Sequence, residues 1–338
     1  FQTSSIYMRL FCLFPFFIIL FESIPVITGD ALTSQFLSKI FDTYDSNDLS
    51  RSNKPKSKIY EMSVPSHNEA CGVSPNVIQS NKRRFTRVVG GYQAPRGYHT
   101  YIAAIRYWDK DTRRWSRFCG GTLIHPKFIL TAAHCFEDFY DPKDYDVILG
   151  DWDKSVQDGT EQRARIKKLY MHPRYKGESN TWADDIAIIE LKTEVTLNKY
   201  VSLACLPNKN FDYYAGRMCM VKGWGNTDSE SKSYPNRLQV GMVPLIDRYT
   251  CTHSSDEYSS LPRSSFCAGY LEGGIDSCQG DSGGPLTCQE NDGRFYVIGV
   301  TSWGVGCTEK GVYVKVSHYI DWIEKILKYR KKYVYVKQ

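Results

Sequence analysis

An all-β fold closed by a C-terminal helix is predicted for this chain, and three observations carry the prediction. From Val88 onward, short β-branched and aromatic runs alternate with Gly and Pro, which is the texture of many short strands. The stretch before it, 30–87, is rich in Ser, Asn, Asp, Lys and Pro, with scattered apolar residues such as Phe36, Leu37, Ile40 and Phe41, so it cannot build a core of its own. Near the end the spacing changes: Tyr319, Ile320, Ile323, Ile326 and Leu327 recur at intervals of three and four, which places them on one helix face. In chain order the strand candidates are Phe128-Ile129-Leu130, Ile186-Ala187-Ile188-Ile189, 238–243, 295–300 and 312–316. No internal repeat interrupts them.

With 338 residues, 42% of them hydrophobic and 14% aromatic, the chain can bury a large core. At its start Met8-Arg9 precedes an apolar run over 10–21 that stops at Glu22. That is the length of a secretory leader and falls short of the ~20 residues a membrane-spanning helix needs. The reading is initiation at Met8, a signal peptide over 1–29, an irregular pro-segment or light chain over 30–87, and a globular domain with a basic extension over 88–338. An uncleaved N-terminal segment tethering the protein to a membrane is the alternative.

Eleven cysteines without Cys-x-x-Cys spacing point to an oxidising compartment, hence to a secreted, extracellular, disulfide-bonded protein. Cys12 leaves with the leader and the remainder is even in number, but spacing alone does not choose the pairing. A net charge of +6, spread along the chain, gives no reason to expect nucleic acid as a partner. Two basic clusters stand out: Arg106, Lys110, Arg113, Arg114 and Arg117, and Lys325, Lys328, Arg330, Lys331, Lys332 and Lys337. They read as a solvated loop and a solvated helix end, or else as patches attracting anionic glycans, lipid surfaces or acidic partners.

The chemistry is concentrated in Asp276-Ser277-Cys278-Gln279-Gly280-Asp281-Ser282-Gly283-Gly284-Pro285, which sets Ser282 in a glycine-rich loop directly after a carboxylate, Asp281. A serine hydroxyl needs a base within hydrogen-bond reach to become a nucleophile. Thr131-Ala132-Ala133-His134-Cys135 supplies one after a strand candidate, whereas His67, His99, His125, His172, His253 and His318 lack such a setting. The base in turn needs a buried acceptor. Asp185 directly precedes the apolar run 186–189, and Asp184 is expected to be an exposed loop carboxylate. The order His134, Asp185, Ser282 is that of the chymotrypsin-type triad. On these motifs the chain from Val88 to about Ile326 resembles the trypsin-like serine proteases.

The resemblance implies two packed six-stranded antiparallel β-barrels, with His134 and Asp185 in the first and Ser282 in the second. It also implies disulfides Cys119–Cys135, Cys219–Cys288, Cys251–Cys267 and Cys278–Cys307, and the leftover Cys71 and Cys205 fit a tether between pro-segment and catalytic domain. Backbone N–H groups of Gly280 and Ser282 would form the oxyanion hole. Asp276 falls at the base of the pocket for the residue before the scissile bond (P1), which implies cleavage after Arg or Lys. Ser277, Gln279, Ser302, Trp303, Gly304 and Gly311 would line that pocket, and Trp182 the neighbouring subsite. The Cys307–Tyr313 loop is shorter than usual, and Lys310 within it is expected to point to solvent.

Arg87-Val88-Val89-Gly90-Gly91 resembles a zymogen junction, after whose cleavage the new amine of Val88 would pair with Asp281 and order the oxyanion loop. The activator would be a convertase or a trypsin-like protease. Asp151, Asp158 and Glu161 resemble the calcium loop of digestive trypsins and leave two readings open, a structural Ca2+ or solvated acids; no cofactor is otherwise implied. Substrates would be proteins or peptides with P1 Arg or Lys, protein protease inhibitors would be partners, and the enzyme would be a monomer. The rival function is a non-catalytic protease homologue acting as a binding or regulatory protein, whose usual mark is a replaced triad residue.

Overall fold

The computed structural model describes residues 71–73, 91–137, 141–226, 234–271, 280–305 and 310–334. After the short strand β1 (Tyr92–Gln93), the strands β2 (Ile102–Asp109), β3 (Arg114–His125), β4 (Phe128–Thr131), β5 (Tyr145–Leu149), β6 (Gln162–Met171) and β7 (Ala187–Leu191) follow in chain order. All pair antiparallel, and the order β2-β3-β4-β7-β6-β5 closes into a barrel. Its interior is made by alternate residues turned inward, among them Ile105, Leu123, Ile129, Leu149, Ile166 and Ile189, all fully buried or nearly so. Each such side chain contributes roughly 1.5–3 kcal/mol of hydrophobic stabilisation.

The second barrel uses β8 (Met218–Gly223), β9 (Gln239–Ile246), β10 (Ser265–Ala268), β11 (Pro285–Gln289), β12 (Phe295–Gly304) and β13 (Gly311–Lys315) in the order β9-β10-β13-β12-β11-β8. Pairing of β8 with β9 closes it, and β1 adds to β9 from outside. Phe295, Val297, Val300, Val314 and Val316 pack into the same cluster as the core of the first barrel. The two barrels therefore share apolar contacts.

A one-turn helix α1 (Arg248–Thr252) is capped by Asp247, whose side chain accepts from Thr250 N at 2.8 Å; five residues are too few for a sequence period to register. The predicted terminal helix is α2 (Ile320–Val334), which buries Ile320 and Ile323 as the spacing implied. Missing from the sequence reading were β3 and β6, two of the three longest strands. On β3 positions 119–124 are buried without alternation, and on β6 the register irregularity sets Lys167 and Lys168 both outward and breaks the period.

Four disulfides are formed, Cys71–Cys205, Cys119–Cys135, Cys219–Cys288 and Cys251–Cys267. Cys278 and Cys307 lie outside the described residues. Beside the Cys71–Cys205 bridge, Gly72 N donates to Leu203 O at 2.6 Å and Phe295 N to Gly72 O at 2.9 Å. Gly72 has φ +70°, and a Cβ there would meet Phe295 backbone atoms at 2.7 Å, so only glycine fits this backbone-to-backbone seam. Among the described residues no helix is long and apolar enough to cross a membrane.

Candidate active site

Strand register brings two of the candidate residues together. Thr131 at the end of β4 pairs with Ala187 at the start of β7, so His134, just beyond the one, and Asp185, just before the other, emerge at the same barrel rim. His134 opens a short 3-10 turn (His134–Phe136) whose Cys135 is bound to Cys119 of β3. Asp185 is fully buried. Its Oδ1 accepts from His134 N at 2.8 Å, and its Oδ2 receives His134 Nδ1 at 2.7 Å and Ser302 Oγ at 2.5 Å. A proton held on Nδ1 by the carboxylate leaves Nε2 as the basic nitrogen.

Burial by itself would lower the His134 pKa, but the Asp185 hydrogen bond, the Asp185 charge and the charge of Glu137 outweigh it, and the pKa is raised. Glu137 was not singled out in the sequence, although it stands three residues past His134. Tyr175 OH donates to its Oε1 at 2.6 Å and holds it beside the imidazole.

Asp184 departs from expectation. It is 8% exposed and accepts from Arg174 Nη2 and Tyr319 OH, both at 2.9 Å. His172 Nδ1 lies 3.5 Å away. An exposed loop carboxylate is thus replaced by a structural anchor joining the Asp185 turn to the C-terminal segment. The approach to that turn is strained: Thr181, Trp182 and Asp184 have φ of 48°, 56° and 58°, in the left-handed region that non-glycine residues avoid. This conformation sets the Trp182 ring edge-on to His134, with centroids 6.3 Å apart.

The serine loop is wedged against both barrels. Gly120 N of β3 donates to Ser282 O at 2.7 Å, and Gly283 N to Thr301 O at 2.9 Å. A Cβ on Gly283 would meet Thr131 Oγ1 at 2.3 Å and Ala132 N at 3.1 Å, so the residue after Ser282 touches the segment that leads into His134. Gly280 has φ +98°, a conformation a side chain would strain. The Asp281 carboxylate accepts from Gly225 N at 2.9 Å and lies so close to Gly223 and Gly225 that neither could carry a Cβ.

Of the expected pocket residues, Gly304 and Gly311 face each other across β12 and β13, and Ser302 and Trp303 lie on β12 leading to them. Lys310 does not point to solvent. It is 5% exposed, its Nζ sits 3.9 Å from the Tyr258 ring centroid, and Tyr258 stacks on Trp303 with centroids 5.3 Å apart. The π-face of a buried tyrosine has drawn the cation inward. Asp276, Ser277, Gln279, Arg87 and Val88 lie outside the described residues.

The carboxylates of Asp151, Asp158 and Glu161 each offer an oxygen within 4.8 Å of the others. They are not solvated loop acids. Trp152 N and Asp153 N donate to Asp158, Thr160 N donates to Glu161, and Arg117 donates to Asp151. Arg117, expected in a solvated loop, is instead drawn here and stacks on Trp224 at 4.8 Å. Asp151 Oδ1 remains buried without a hydrogen-bond partner, so the donor set can accept a further cation. The grouping of His134 with Cys119 and Cys135 is no metal site, because both sulfurs are in a disulfide.

Comparison with known proteins agrees with this architecture. The Trypsin family profile matches residues 88–323. Trypsin I-P1 of Gallus gallus is 38% identical over 241 residues, which is 70% of this chain and 88% of that protein. Transmembrane protease serine 9 of Rattus norvegicus is 37% identical over 243 residues, 71% of this chain; the match spans only 22% of that much longer relative. With the barrels, the order of motifs and the family profile in agreement, this chain belongs to the trypsin family of serine proteases.

Proposed function

We propose that the protein is a secreted serine endopeptidase that cleaves after Arg or Lys and is made as a zymogen. The observation that carries the proposal is the buried Asp185 carboxylate receiving both His134 N–H groups and the Ser302 hydroxyl. In this reading Ser282 Oγ attacks the scissile carbonyl while His134 Nε2 takes its proton. Asp185 holds the tautomer and balances the imidazolium, and His134 then returns the proton to the leaving amine. The N–H groups of Gly280 and Ser282 meet the oxyanion; losing one such donor typically costs about 10²- to 10³-fold in turnover. Water hydrolyses the acyl-enzyme by the reverse proton path.

Substrate choice would rest on Asp276, with Ser277, Gln279, Trp303, Gly304 and Gly311 lining the pocket and Trp182 favouring small residues at the next subsite. Cleavage after Arg87 would free Val88 to pair with Asp281, and Cys71–Cys205 would keep the pro-segment attached. The protein would act alone on protein substrates and be checked by protein inhibitors. Asp151, Asp158 and Glu161 would hold a structural calcium, which would stiffen their loop and take no part in the reaction.

The test is hydrolysis of paired fluorogenic peptides with P1 Arg and P1 Phe, before and after cleavage at Arg87, with Ser282→Ala as control. Turnover of the Arg peptide alone, dependent on cleavage and absent in the control, is the expected result. Silence of the cleaved protein on both peptides would favour the binding-only homologue.

A further inference from the structure

The basic cluster read from the sequence around Arg106 is not confined to one loop. Arg106 on β2 donates through Nε and Nη2 to the two oxygens of Asp146 on β5, both at 2.9 Å, and Arg163 on β6 donates to the same fully buried carboxylate. A single indole, Trp115, lies under three guanidiniums: Arg106, Arg163 and Arg165 stand 5.3, 4.8 and 5.2 Å from its centroid. Along β6 the outward positions are Arg163, Arg165 and Lys167, and the irregularity between Ile166 and Lys168 turns Lys168 outward as well. Strands β5, β6 and β7 bring two carboxylates to this face, Asp146 and Glu190, and both are buried beneath it.

We infer that this face of the first barrel is a docking surface for a sulfated polysaccharide. Alternate residues on a strand repeat at roughly 6.6–6.8 Å, so β6 displays a straight row of cations suited to a linear polyanion. Planar guanidiniums already held by an indole lose little freedom on meeting a sulfate, and Arg165, which makes no ion pair with Asp146, keeps N–H groups that match its oxygens. An acidic peptide fits less well. Strand β6 is paired on both sides, by β5 and β7, so it offers no open edge to which a peptide backbone could hydrogen-bond. At its edge the row is tied to the turn Pro142–Asp144, where Arg165 Nη1 donates to Lys143 O at 3.2 Å.

The experiment is salt-gradient elution of the full-length Ser282→Ala protein from immobilised heparin. The key variant is Arg165→Glu/Lys168→Glu, which leaves the Asp146 ion pairs intact; Arg163→Gln is a second. Lys325→Glu/Lys328→Glu in α2 is the control. Expected are parental melting temperatures of the double variant and of the control, a lower one for Arg163→Gln because it removes a partner of buried Asp146, parental elution of the control, and earlier elution of the β6 variants, with about tenfold weaker heparin binding of the double variant at physiological salt. Unchanged elution of the β6 variants, loss of retention in the α2 control instead, or displacement by polyglutamate as effective as by heparin of equal charge would each overturn the inference.

Discussion

At the rim of the first barrel Asp184 and Asp185 are buried side by side, and every group near them can donate: arginine, imidazole, tyrosine and serine. Between the barrels Lys222 is buried as deeply, 3% exposed, but among the described residues its Nζ donates to hydroxyls, Tyr101 OH at 2.6 Å and Thr287 Oγ1, and lies over the Tyr101 and Phe295 rings, with no carboxylate beside it. Burial pushes the Lys222 pKa well down, and burial together with the Lys222 charge does the same to its neighbour His99. The contrast teaches that buried ionisable groups here serve two ends. Around Asp185 the donors fix the His134 imidazole, and around Asp184 they tie the same turn to the C-terminal segment. Where an amine has no acid beside it among the described residues, burial disfavours its charged form and makes the stability of the fold depend on pH.

The largest break in the first cluster is Asp185→Asn. The amide cannot hold the Nδ1–H tautomer, and kcat should fall about 10⁴-fold with the fold intact, read by active-site titration and circular dichroism. Asp184→Asn tests whether its neighbour is structural. Removing the charge beneath Arg174 and Tyr319 should cost about 1–3 kcal/mol in denaturant unfolding, because Arg174 is largely exposed, while lowering kcat far less than the first variant does.

Lys222→Met probes the second cluster. Because the folded pKa lies below the unfolded one, the unfolded chain binds more protons, and Lys222 makes stability rise with pH between its lowered pKa and that of a free lysine. The Met variant should flatten this rise between neutral and alkaline pH, and should melt a few degrees higher at neutral pH. Tyr101 OH and Thr287 Oγ1, 3.2 Å apart, would still partner each other. Equal pH slopes in the two proteins would show that Lys222 is not the source. The smallest effect belongs to Glu137→Gln. Its negative charge raises the His134 pKa, so removing it should move the acid limb of kcat/KM to lower pH.

Much of the proposed site was legible in order and type, since Ala-Ala-His-Cys, Asp-Ile-Ala-Ile-Ile and Gly-Asp-Ser-Gly-Gly are local patterns with local reasons. Gly280 and Gly283 mark backbone that side chains cannot adopt, and the run after Asp185 marks a buried strand. Three residues were misread because their surroundings come from elsewhere in the chain. Asp184 is covered by Tyr319, 135 positions away, Lys310 is turned inward by Tyr258, and Arg117 is claimed by Asp151.

By itself the sequence determined the all-β class, the terminal helix, the candidate triad and a cysteine content suited to disulfides, because strand texture, helical spacing and turn chemistry act over a few residues. Its family resemblance supplied the barrels and the pairing of those cysteines. Only the tertiary structure decided which cations meet which carboxylates, that one indole gathers arginines from β2 and β6, and that Lys222 is buried against hydroxyls and aromatic rings. Such contacts depend on register across strands far apart in the chain, and a one-residue slip in any of them would turn the same side chains to the opposite face.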